Sequence, residues 1–118
     1  MKLPAGPIDG RGFGARSREV SHRNFSTLDQ NTGIKDVTSR LGNGQRVPRD
    51  RFQDVQFKYD GKTQTLADFI KDGYEKYRWY AWTDGRDTMF LGFTTSDPHF
   101  LAAKFYFGPP WVIEFRGY

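Results

Sequence analysis

Eighteen of the twenty aromatic side chains lie beyond residue 51, and this asymmetry limits the possible folds more than any other feature. Only Phe13 and Phe25 come earlier. Aromatic rings bury large areas and dominate the energetics of cores and interfaces. A core is therefore expected within residues 51–118. Residues 1–50 carry isolated apolar side chains with neither a strand nor a helix period, and Gly, Pro, Ser, Asn and Arg interrupt each candidate element. Such a stretch buries too little apolar surface to offset the entropy of ordering it. The expected organisation is an extended basic Gly/Arg-rich arm at 1–50, ordered only by partners, ahead of a compact aromatic-rich α+β domain at 51–118. One weakly patterned helix is conceivable between Ser26 or Thr27 and Leu41.

Charge divides along the same line. The net charge is +4, and residues 1–50 hold nine basic against five acidic side chains, while 51–118 hold nine of each. All the excess sits in the arm, where seven of the nine cations are Arg. The chain has no cysteine, so disulfides, zinc–thiolate sites and thiol nucleophiles are excluded. No run approaches the roughly 20 apolar residues that span a bilayer. Lys2 is followed by no apolar stretch, so no secretory signal is expected.

The second part carries clear local signals. Val55, Phe57 and Tyr59 alternate with Gln56 and Lys58, and Asp60-Gly61 is a favoured two-residue hairpin turn leading to a return at Lys62–Gln64. Thr65 can cap a helix with Asp68 in its first turn. Leu66, Phe69, Ile70, Tyr74 and Tyr77 form one apolar stripe, which predicts a helix over 66–77. Residues 78–83 and 88–94 read as strands about a turn at Asp84–Asp87, with large side chains on both faces. That hairpin is expected to be central, or to meet a partner on one face. Asp97-Pro98 is a helix start, His99–Phe107 its body and Gly108-Pro109-Pro110 its stop. A strand follows at 111–116. The predicted fold class is α+β: a small, mainly antiparallel sheet with one or two helices in the order β-β-α-β-β-α-β, preceded by the extended arm.

Several motifs bear on chemistry. Gly10-Arg11-Gly12-Phe13-Gly14-Ala15-Arg16-Ser17-Arg18 resembles an RGG-type segment, in which Arg contacts phosphates and Phe stacks on bases; the same arginines could meet carboxylates or carbonyls of other subunits. His22 and His99 lie in different parts with no second ligand at metal spacing. Asp84 and Asp87 could hold a cation, although side-chain to backbone bonding in a turn accounts for them. The run Gly92–Lys104, with a strand ending in Thr94-Thr95-Ser96 and then Phe100-Leu101-Ala102-Ala103 on a helix, resembles the central motif of the ADP-ribosyltransferases. The resemblance implies a nicotinamide pocket shaped by the hydroxyl strand, with Arg78 and Glu114 in the family's cation and acceptor-activating roles. A capped helix after a strand explains the same residues.

The functional expectation is a structural subunit of a large assembly, a virion component of tailed-phage type such as a minor capsid, cement or tail protein, by analogy of architecture. Its arm would strap neighbouring subunits in the virion or host cytoplasm. The expected partner-binding residues are Arg11, Phe13, Arg16, Arg18, Phe25, Trp79, Trp82 and Trp111, since Trp and Arg are enriched at interface hot spots. The first alternative is an RNA-associated subunit using the arm on phosphates, and the second is a small ADP-ribosyltransferase-like enzyme. No catalytic, cofactor or metal residue is assigned, and no membrane partner.

Overall fold

A computed structural model of the 118-residue chain describes residues 6–70, 73–108 and 112–118. In chain order the elements are β1 (Ile8–Asp9), β2 (Ala15–Arg16), α1 (His22–Thr27), α2 (Ile34–Leu41), β3 (Gln45–Val47), a 3-10 turn at Arg49–Arg51, β4 (Val55–Tyr59), β5 (Lys62–Thr65), α3 (Leu66–Phe69), β6 (Arg78–Thr83), β7 (Thr88–Phe93), β8 (Leu101–Gly108) and β9 (Val112–Gly117). The strands form two mixed sheets. One runs β1-β4-β5, and the other runs β2-β6-β7-β8-β9 with β3 also on β6.

The large sheet forms because β6, β7 and β8 are rich in aromatic and apolar side chains whose burial offsets the cost of ordering them. Its two faces feed two cores. On one face Trp79, Ala81, Phe90, Ala103, Phe105 and Phe107 meet the small sheet, chiefly Val55 and Phe57. The Phe57 ring lies 5.8 Å from Phe90, 5.7 Å from Phe105 and 4.6 Å from Phe107. On the other face Trp82, Met89, Leu91, Phe93, Leu101 and Tyr106 meet Val20, Phe25, Leu28, Val37 and Leu41. Thus α1 and α2 cover one side of the central sheet and a β-layer covers the other. A sheet buried on both faces needs large apolar groups at every position, which is why β6 and β7 read as two-faced in sequence.

Local signals hold where turn chemistry dictates the backbone. Asp60 and Gly61 both have positive φ, 52° and 75°, as the tight hairpin between β4 and β5 requires. Asp68 accepts hydrogen bonds from the Thr65 amide at 2.9 Å and its hydroxyl at 3.1 Å, closing the first turn of α3.

The predicted fold class is corrected in four respects. The chain is strand-rich, with nine strands in two mixed sheets and three helices among the described residues, rather than a small sheet with one or two helices. The helix expected at 99–107 is β8. Leu101–Gly108 are all buried, with Ala103, Phe105 and Phe107 in one core and Tyr106 in the other, so a largely apolar run with no visible alternation reads as a helix. The helix expected at 66–77 stops at Phe69, where the Ile70 amide closes it on Leu66; residues 71–72 lie outside the described residues. Finally, no extended arm precedes the sheets from Gly6 onward. β1 pairs in parallel with β4, β2 in parallel with β6, and β3 antiparallel with β6, while α1 and α2 roof the second core. The isolated apolar residues of this half lacked a sustained period because they are spread over several short elements, the longest of them the eight-residue α2.

Candidate anion-binding rim

The RG-containing segment is held in place by its own backbone. The Gly10 amide donates to Gln56 and the Ser17 amide to Thr83, at 2.7 and 2.8 Å. The Gly12 amide donates to the Thr88 hydroxyl at 2.9 Å, and that hydroxyl donates to the Gly10 carbonyl at 3.1 Å. Two of the glycines are needed for close approach. A Cβ on Gly10 would stand 2.4 Å from the Phe57 ring, and one on Gly14, at φ 126°, would stand 2.7 Å from the Ala81 backbone. The glycines therefore let the segment lie flat on the two sheets, with Phe13 turned inward and the arginines outward.

This places Arg16 and Arg18 beside the β6–β7 turn and Arg11 beside the small sheet. The Arg16 guanidinium lies against Gly85 of that turn. Arg16, Ser17, Arg18 and Asp84 line an open depression of about 520 Å³. Arg11 and Lys58 line a second depression of about 410 Å³ beside Asp9 and Gln56. Arg11, Arg16 and Arg18 are exposed, and no carboxylate or carbonyl among the described residues accepts from their guanidinium groups. Arg86 completes the rim, 73% exposed and 3.2 Å from Asp87.

Both carboxylates of the turn also hold the chain in place. Asp84 accepts the amides of Arg86 and Asp87 at 2.8 and 2.7 Å. Asp87 accepts the Tyr106 hydroxyl at 2.5 Å from beneath, and burial together with this bond pushes the Tyr106 phenol well above its usual range. The pair thus serves turn chemistry and a cross-strand tie.

The other expected partner-binding residues lie elsewhere. Phe13 and Trp79 are in the first core, and Phe25 and Trp82 in the second. The indole nitrogens of Trp79 and Trp82 donate to the carbonyls of Tyr74 and Gly42. These four side chains are thus occupied inside the chain, and Trp111 lies outside the described residues. His22 packs between Phe25 and Tyr106 with Nε2 3.6 Å from Glu114. His99 Nδ1 is 2.8 Å from the Thr94 carbonyl.

The stretch that resembles the ADP-ribosyltransferase motif is not a strand followed by a helix. Thr94 and Phe100 exchange backbone and hydroxyl bonds, closing the loop between β7 and β8. Arg78 begins β6, whereas Glu114 lies in the middle of β9, about 14 Å across the sheet at its ordinary strand spacing. Arg78 pairs with Phe93 at one end of the sheet and Glu114 with Tyr106 toward the other, so the two are not brought together.

Sequence reasoning missed Lys58 and Arg86 on the rim, and Lys104 beneath α1. Lys58 and Arg86 flank turn signals that were legible, but the folding of the segment 10–18 onto them was not. A separate cleft of about 350 Å³ opens between α1 and α2, floored by Leu28, Val37, Leu41 and Met89 with Glu19 and Arg40 at its mouth. Among the described residues no three His, Asp or Glu side chains converge as a metal site, and no helix is long and apolar enough to cross a membrane. Comparison with known proteins returns no matching family model, no matching curated protein and no matching solved structure.

Proposed function

We propose that the chain is an RNA-associated binding subunit that lays its guanidinium rim on phosphates. The observation that carries this reading is the set of three exposed arginines, Arg11, Arg16 and Arg18, that have no acceptor among the described residues and stand on a backbone fixed by the two sheets. A guanidinium on a fixed backbone spares the cost of ordering the main chain on binding and presents two parallel donors to a phosphate. Phe13 is buried, so it offers no ring for a base to stack on. Recognition then rests on the backbone and is independent of sequence.

Binding of a labelled mixed-sequence RNA, followed by fluorescence anisotropy at several salt concentrations, tests the proposal. Three to four phosphate contacts predict a log–log salt slope of about −2 to −3, a loss of roughly 20- to 60-fold between 50 and 200 mM salt. Exchange of Arg11, Arg16 and Arg18 for Ala should abolish most of the affinity and flatten the slope. Salt-independent binding, or a triple variant that binds like the parent, removes the reading.

A second reading, a structural subunit of a larger assembly such as a virion, is supported by a different feature. Strand β9 forms an edge of the large sheet that no other strand covers among the described residues.

A further inference from the structure

Strand β9 pairs with β8 in an unbroken register from Gly108↔Val112 to Ala103↔Gly117. The Tyr118 amide donates to the Ala102 carbonyl at 3.0 Å. Antiparallel strands alternate between bonded and non-bonded pairs. The N–H and C=O groups of Glu114 and Arg116 therefore turn toward β8, and those of Ile113, Phe115 and Gly117 turn away from it. No described residue bonds these outward groups. They form a row of donors and acceptors at regular spacing, which is a template for another strand.

The side chains specify which strand. Glu114 and Arg116 lie on the helix-facing side of the sheet, opposite Tyr106 and Lys104. Glu114 is 44% exposed beside His22, and Arg116 is exposed with its guanidinium 5.6 Å from the Tyr118 ring centre. Neither charge is shut away. We propose that β9 pairs antiparallel with β9 of a second copy of this chain, about a two-fold axis through Phe115.

In that register Phe115 faces Phe115 of the second copy, and Ile113 faces Gly117. These are the residues whose backbone groups point outward, so each of the pairs exchanges two hydrogen bonds. The intervening non-bonded pair sets Glu114 opposite Arg116 twice, once on each side of the axis, at the closer spacing where side chains interact best. Moving the axis to Glu114 sets two carboxylates face to face. Moving it to Arg116 does the same with two guanidinium groups. The alternation of charge thus selects one register, and the two large sheets become one continuous sheet. The other outer strands are worse templates. β1 and β2 have two residues each, β3 has three, and β5 has four and runs directly into α3. This inference deepens the assembly reading and is independent of the anion rim.

Sedimentation velocity on the full chain, up to about 0.5 mM, provides the test. A concentration-dependent dimer is expected. Glu114→Arg and Arg116→Glu should each raise the dimer dissociation constant roughly tenfold or more, since two attractive cross-strand pairs become repulsive. The doubly reversed chain, with Arg at 114 and Glu at 116, should recover the parent's dissociation constant. The Ala variants at Arg11, Arg16 and Arg18 should dimerise normally, which separates a failure here from a failure of RNA binding. If a single reversal impairs folding, amide exchange of the unaltered chain takes its place: the Ile113, Phe115 and Gly117 amides should slow as concentration rises. A chain that stays monomeric throughout, a dimer indifferent to both reversals, or edge amides unaffected by concentration would each overturn the proposal.

Discussion

Lys104 sits where an amine is most expensive to place. It is 3% exposed in the middle of β8, with its Nζ 2.7 Å from the Phe25 carbonyl and 2.8 Å from that of Leu28, and 4.3 Å from the centre of the Phe25 ring. These two carbonyls end α1, so the ammonium caps the negative end of that helix and ties it to the sheet. Lys104→Met would keep the volume but remove the charged donor from both carbonyls, leaving Phe25 the Leu28 amide and Leu28 the Tyr118 hydroxyl, and should cost roughly 1–3 kcal/mol in urea unfolding. Burial lowers the Lys104 pKa below 10.5, with Glu114 opposing the shift. Between the lowered value and 10.5 the unfolded chain holds more protons than the folded one, so this group makes stability rise with pH in that window. Tyr106 acts oppositely. Its phenol is raised above 10.0, so the folded chain keeps a proton that the unfolded chain loses, and stability should fall as pH climbs past 10. Thermal melts should show a shallower alkaline fall in Tyr106→Phe and a weaker rise below it in Lys104→Met. A third residue, Phe57, is fully buried against the rings of Phe69, Phe90, Phe105 and Phe107. Phe57→Ala should cost about 3–5 kcal/mol. Phe57 was legible as a core residue from its alternation with Gln56 and Lys58. Lys104 was not, because a lone cation among apolar residues reads as the wet side of a helix.

At the scale of elements, the hairpins and the capped start of α3 were legible and the extents of the helices were not. Asp60-Gly61 and Asp84–Asp87 announce their turns chemically, whatever the rest of the chain does. β6 and β7 fall almost where their strand-favouring composition puts them. β8 failed because its alternation is invisible when both faces are apolar. The glycines of the RG segment mislead for another reason: sequence presents them as flexibility, while the fold uses them as clearance. Gly14→Ala carries this to a test. Its Cβ would meet the backbone of β6, which cannot swing aside like a side-chain tip, and its φ of 126° disfavours any L side chain. The variant should lose about 1–3 kcal/mol. Because β2 would lift from β6, it should also weaken RNA binding without altering a single charge.

Across the whole molecule, the two halves complete each other. Residues 6–47 bring Val20, Phe25, Leu28, Val37 and Leu41 onto a sheet face built by the second half. A chain restricted to 51–118 would leave Trp82, Met89, Leu91, Phe93 and Tyr106 without that cover, an apolar area too large for a soluble surface. It should melt without cooperativity and self-associate, as calorimetry and light scattering would report. The two-part charge and aromatic distribution is real in the sequence. Composition alone could not show that sparse apolar residues suffice when another segment supplies the opposing face.

The parallel pairing of Ala15–Arg16 with Trp82–Thr83 has a consequence for synthesis. A ribosome delivers the basic segment early, but the strand that receives it belongs to the second half of the chain. Until Arg78–Thr83 has emerged and met its neighbours, the arginines travel on an unanchored thread beside an RNA machine. Closure of the sheets then converts that thread into a surface with its cations at set positions.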